Sequence, residues 1–295
     1  MEKAKERSKY GFLFAILKIL GIIVGIVLLV LVGLYFYIRV ILGIDIFGII
    51  GILKNLGSDY DPSKLLTNPV TQEITDQTFD KFDNVGLSGI YTYEGGKYKI
   101  NDDISSLPTA TADISFNDTE LCALLQTVLD SSVELAEGET IELEIKQVTF
   151  SDYKSMANGA KIKVNVVFYT SLEKLKTSLN VFPLTLITKY IPEKAYISTN
   201  FYVEQTGDLT YTITPDSMSI NNLSKSQTAT VLSVIGSVLG EFDMFTICEE
   251  IGNTMFNALV GDNKTSGLVK ELNVVGITAY SIDKVDSKIY FTMKI

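Results

Sequence analysis

The sequence predicts an α+β protein: one N-terminal transmembrane helix, then a curved antiparallel sheet packed with a few amphipathic helices. Three observations predict it. First, the 20 residues from Ile19 to Ile38 carry no charge, enough to cross about 30 Å of hydrocarbon as a helix. Second, two segments alternate. Ile141, Leu143 and Ile145 interleave with Glu142, Glu144 and Lys146, while Ile162, Val164, Val166 and Phe168 interleave with Lys161, Lys163, Asn165 and Val167. Such strands put one face in a core and one in water, the habit of antiparallel sheet. Third, Leu121, Leu124, Leu125, Val128 and Leu129 fall at i, i+3, i+4, i+7 and i+8, one face of a helix.

The membrane segment comes first. Lys3, Lys5, Arg7, Lys9 and Lys18 precede it, against Arg39 and Lys54 beyond it. This bias places residues 1–18 in the cytoplasm, 19–39 in the cell membrane as a single-pass anchor, and the rest outside. Tyr35 and Tyr37 stand at its far end, where aromatic rings favour the interface. A cleaved signal peptide would have a shorter apolar core and an A-x-A-like site, and Leu34-Tyr35-Phe36-Tyr37 offers none. Gly21 and Gly25 form a GxxxG pair, a contact through which two such helices could approach. Residues 40–57 are apolar but interrupted by Asp45 and Lys54, and read as an interfacial neck. A second span there would instead place the domain in the cytoplasm.

Charge is unevenly spread. Of 25 basic and 35 acidic residues, seven and three lie up to Gly57, leaving 18 against 32, or −14, beyond it. So acidic a domain repels nucleic acid and anionic head groups, which excludes nucleic acid as a partner. Its own membrane contacts must be apolar or ion-mediated. Histidine is absent, which excludes Ser-His-Asp and Cys-His catalysis, HExxH zinc sites and every His-ligated metal. Cys122 and Cys248 make no disulfide framework and sit in helical apolar patterns, as small buried hydrophobes do.

Residues 58–86, rich in Asp, Asn, Ser and Thr with Pro62 and Pro69, read as a tether with little regular structure. The domain proper is 87–295. Glu94-Gly95-Gly96 joins Ile90–Tyr93 to Lys97–Ile100 as a hairpin, Asp102 to Pro108 is a loop, and Ala112 to Phe116 a strand. Asn117 and Glu120 form a capping box ahead of the leucine helix, which should end before Glu137-Gly138. Ser155 to Gly159 turns between the two alternating strands. Strands over 196–204 and 209–214 flank Gln205-Thr206-Gly207-Asp208, and Met218 to Leu223 adds another. Helical period then returns: Val231, Ile235, Val238, Leu239 and Phe242 share a face, as do Met244, Cys248, Ile251, Met255 and Leu259. Strands over 272–280 and 288–295 close the chain.

No chemistry emerges. Ser151-Asp152-Tyr153-Lys154 matches S-x-x-K and Ser219-Ile220-Asn221 matches S-x-N, but that chemistry needs the serine at a helix start and a K-T-G element, which is missing. Asp102-Asp103 and Glu249-Glu250 are adjacent acids, not carboxylates converging on one cleft. Asn117, Asn222 and Asn263 begin glycosylation-type triplets. The chain reads as a non-enzyme with no metal and no cofactor.

Val167 and Tyr169 oppose Val166 and Phe168, so both sheet faces carry apolar residues in places. Either a helix covers the second face or a groove is left for an apolar ligand. The segments ISFNDTELCALLQTVL (114–129) and YIPEKAYISTNFYVEQTGDLTYTITPDSMSINNL (190–223), with the anchor and paired C-terminal helices, resemble membrane-anchored bacterial proteins of the YpmS-like group. That group lies near the tubular lipid-binding (TULIP) superfamily, and the resemblance covers about residues 114–260. It implies a curved sheet around a long helix and an apolar, non-catalytic cavity. Its lining would fall on Leu121, Leu125, Val128, Val166, Phe168 and Phe201, together with Val231, Ile235 and Val238. The function so implied is binding or transfer of a lipid or other apolar molecule in the cell envelope. The alternative is a structural module scaffolding an envelope complex with a protein partner, which requires a filled core.

Overall fold

The computed structural model describes residues 51–52, 54–58, 60–101, 103–129, 132–134, 140–171, 173, 192–230, 244–261 and 266–295. The expected cytoplasmic segment 1–18 and anchor 19–39, with Gly21 and Gly25, lie outside them, as does most of the neck 40–57. Among the described residues no helix is long and apolar enough to cross a membrane.

The architecture is α+β, with curved antiparallel sheets and a few helices. In chain order the strands are β1 (Tyr91–Glu94), β2 (Lys97–Ile100), β3 (Ile114–Phe116), β4 (Ser132–Glu134), β5 (Thr140–Met156), β6 (Gly159–Ser171), β7 (Lys194–Gly207), β8 (Thr210–Ile220), β9 (Ala279–Val285) and β10 (Lys288–Lys294). Among the described residues the helices include α1 (Gln72–Asn84), α2 (Asp118–Val128), α3 (Met244–Leu259) and the single turn α4 (Leu268–Glu271). Strands β4 to β8 form one sheet in sequence order, β3, β10 and β9 a second, and β1 and β2 a hairpin of their own.

The long meander forms because its alternation is sustained. On β6 the buried positions Ile162, Val164, Val166 and Phe168 share the inner face, and the partners of the last two on β7 are Thr199 and Ile197. The expected turn after Ser155 is the β5–β6 hairpin, closing through Met156↔Gly159. β7 and β8 run on as one long hairpin, so Met218 to Ile220 is the end of β8 and not a further strand. Pro215 is tolerated because β8 is an edge strand and a bulge falls there. In β1–β2, Gly95 (φ 59°) and Gly96 (φ 81°) both adopt the left-handed conformation that a two-residue hairpin turn demands.

Helix α2 starts as its capping box dictates: Asn117 Oδ1 accepts from the amides of Thr119 and Glu120, and Glu120 Oε2 accepts from the Asn117 amide. It stops at Val128, short of the expected end, because residues 132–134 pair with β5 instead.

Two expectations are corrected. The stretch 58–86 is not an unstructured tether, since it contains the 13-residue helix α1, capped by Thr71 and burying Thr78, Phe79 and Phe82 against the core. Two buried phenylalanines contribute about 1.5–3 kcal/mol each, enough to order a polar helix that propensity alone would leave marginal. The strand placed at 272–280 begins only at Ala279. Leu272 to Val275 is a 3-10 turn whose Leu272 and Val275 are buried three apart, ended by left-handed Gly276 (φ 92°).

One continuous core joins the inner face of the large sheet to α1, α2, α3 and the small sheet. Gly252 lets α3 press on the sheet: a Cβ there would lie 2.7 Å from Ile213 Cγ2 and 3.1 Å from the Phe201 ring.

Candidate functional site

The structure brings the described lining candidates together, in the interior. Leu121, Val166, Phe168 and Phe201 are 0–1% exposed, Leu125 is 0% exposed, and all belong to the same core. At that exposure almost none of their surface is open to water. Val128 is half-buried and packs against the same core. Val231, Ile235 and Val238 lie outside the described residues. Cys122 and Cys248 are buried and form no disulfide, and burial pushes the Cys122 thiol up to about 12, far from a reactive thiolate.

The outer face of the large sheet is polar at one end. Asn165 Nδ2 donates to Ser198 Oγ at 2.8 Å and to Asn200 Oδ1 at 3.1 Å. Asp216 is the extra residue of the β8 bulge, between the pairs Phe201↔Pro215 and Asn200↔Ser217, and its carboxylate reaches Lys163 Nζ at 2.8 Å. Lys161 and Lys163 also flank the Tyr202 ring, at 5.6 and 5.4 Å from its centre.

The Lys163–Asp216 pair makes a pH prediction. The Lys163 hydrogen bond, foremost, holds Asp216 below 3.8, so its stabilisation is present above that value and lost as pH falls through the lower folded one. Lys163 is raised above 10.5, chiefly by the same bond, so its share is present below 10.5 and lost as pH rises through the higher folded value. The pair is partly open to water, which limits it to about 1 kcal/mol. Asp216→Asn is therefore expected to lower the urea midpoint at neutral pH and to flatten its fall below about pH 4. Midpoints measured across that range check it.

The S-x-x-K match lies on β5 at a second bulge, with Ser151 and Lys154 exposed and Asp152 left-handed (φ 52°). Asn221 of the S-x-N match is used structurally, its Oδ1 accepting from the Tyr196 amide at 2.7 Å. Among the described residues no group of three or more acidic or cysteine side chains could hold a metal.

The feature that sequence reasoning missed is the base of the β1–β2 hairpin. Tyr91, Tyr93, Tyr98 and Ile100 share one face of it, and that face rests on α1. The Tyr98 ring stacks on Phe79 at 4.1 Å, and its hydroxyl donates to Asp76 at 2.8 Å. The Tyr91 hydroxyl donates to Asp83 at 2.9 Å, and burial together with that carboxylate pushes the phenol up to about 12. Tyr93 extends past the stack and is 54% exposed, in a two-stranded sheet with both edges free among the described strands. The signal for α1 was Thr71 followed by Phe79 and Phe82 three apart, masked by the polar residues around them.

No family model, no curated protein and no solved structure matches this chain.

Proposed function

We propose that the chain is a membrane-anchored, non-catalytic interaction module, holding its acidic α+β domain at the outer surface of a cell membrane to scaffold a protein complex. One observation supports this reading: of the side chains expected to line an apolar cavity, Leu121, Leu125, Val166, Phe168 and Phe201 are buried in one core, which favours the described surface as the working part. The β1–β2 hairpin is the contact surface it favours. Exposed Tyr93 supplies an aromatic anchor, and the hairpin edges, unpaired among the described strands, supply backbone donors and acceptors.

A second reading, a TULIP-like carrier of a lipid, is favoured by a different observation. The hydroxyls of Thr170 and Thr199 on the inner sheet face, and of Thr228, are buried without a hydrogen-bond partner among the described residues. A ligand carbonyl could accept from them.

Native mass spectrometry of the full chain released from nanodiscs separates the two. The interaction reading expects bare protein mass, and on native gels of solubilised membranes a discrete larger complex that Tyr93→Ala weakens. A stoichiometric lipid adduct that survives detergent exchange, with gel migration unchanged by Tyr93→Ala, overturns it in favour of the carrier.

A further inference from the structure

Residues 58 and 60–68 cross the outer face of the large sheet and are bonded to it along the way. Asn222, just past β8, donates from Nδ2 to the Ser58 carbonyl at 3.2 Å and to its hydroxyl at 2.8 Å. The Tyr60 ring lies 5.4 Å from Tyr196 on β7, which lies 5.1 Å from Tyr169 on β6. On β5, Gln147 Nε2 donates to the Leu65 carbonyl at 2.9 Å, and its Oε1 accepts from the Asn68 amide at 2.8 Å. Asn68 Nδ2 then donates to Thr119 Oγ1 of α2 at 3.1 Å. The contacts thus follow the strand order of the sheet from one edge towards the other.

A freely swinging linker would make none of these contacts. Gln147 is 2% exposed, and both of its polar ends are used on this segment, so lifting the segment leaves two buried groups unpaired. Beside Gln147, in the same outer-face row, Val167 is 0% and Ser198 5% exposed. At Gln147 the second face is met by the chain just after the 3-10 turn Pro62–Lys64, through Leu65 and Asn68.

We infer that residues 58 and 60–68 are a strap held down along the outer sheet face, so that the chain enters the domain by one fixed path. The strap also withdraws the Gln147 amide from any other partner while it is down. It depends on neither functional reading above, since it joins parts of one chain.

Lys64, exposed within the strap, makes it testable with trypsin on the full chain in nanodiscs. Cleavage after Lys64 is expected to be at least about tenfold slower than in a free peptide of the same sequence, because access requires the strap to open. Gln147→Ala and Tyr60→Ala are each expected to speed that cut about tenfold, while cuts after Lys97 and Lys99 keep their rates. Should Gln147→Ala unfold the domain, the Lys97 and Lys99 rates will rise as well. Asn222→Ala, at the exposed end of the strap, then supplies the same readout with the core intact. A wild-type rate at Lys64 equal to the free peptide's, or no acceleration in Tyr60→Ala and Asn222→Ala, overturns the strap.

Discussion

Phe168→Ala is expected to destabilise the domain by about 3–5 kcal/mol, the range for truncating a phenylalanine in a filled core. Phe168 is 1% exposed and sits on β6 between Ile145 of β5 and Ile197 of β7, both buried. Removing its ring leaves a void that close-packed neighbours collapse into only partly, so lost transfer energy and a cavity term add. A phenylalanine at the wall of an open lipid groove behaves differently. Its ring faces space or ligand, and truncation chiefly changes ligand affinity. Urea unfolding of the Phe168→Ala chain at unchanged m-value reads the difference. A loss under about 1 kcal/mol, with weaker uptake of an acyl-chain probe, would favour the groove and sink the filled core.

Some of this was legible in the sequence because the signals are local and redundant. Helix α2 announces itself twice, by the Asn117–Glu120 capping box and by the leucine period, and each is sufficient. The β5–β6 hairpin is written in the alternation of both strands and in the Asn158-Gly159 turn. Helix α1 was hidden because its stability is tertiary: two phenylalanines in 13 otherwise mostly polar residues form no visible stripe until a core lies beneath them. Leu272 to Val275 misled because a short run of branched apolar residues suits a strand and a tight turn equally, and the deciding residue is Gly276. Of the expected apolar lining, Leu121, Leu125, Val166, Phe168 and Phe201 fall in one core, while Val231, Ile235 and Val238 lie outside the described residues. Whether such a cluster encloses ligand or side chains depends on how the elements close over it, and period alone does not encode that. The strap was invisible for the same reason. A glutamine on a strand carries no mark that its partner lies 82 residues earlier.

Gln205 is a second long-range clamp, and its loss is expected to be comparably severe. It stands at the end of β7, 8% exposed, where the tip of the β7–β8 hairpin meets the small sheet. Its Nε2 donates to the Tyr280 carbonyl at 2.7 Å and its Oε1 accepts from the Ile282 amide at 3.3 Å, so one side chain takes the place of a strand along the edge of β9. The Asp208 carbonyl accepts from the Tyr280 amide at 3.0 Å and completes the junction. Gln205→Ala orphans two buried backbone groups, each worth about 1–3 kcal/mol, and is expected to destabilise by about 2–5 kcal/mol. In melting temperature that is a fall of about 5–15 °C for a domain of this size. Gly159 provides the control. Its backbone (φ 146°) suits glycine, and a Cβ there would lie 2.9 Å from Gln205 Cβ, Cγ and Cδ, pushing the clamp out of place. Gly159→Ala should therefore destabilise on its own yet add little to Gln205→Ala, because the second change finds the junction already broken. Full additivity in the double variant would show that Gly159 acts through its own turn, and that Gln205 is not what the bare α-carbon protects.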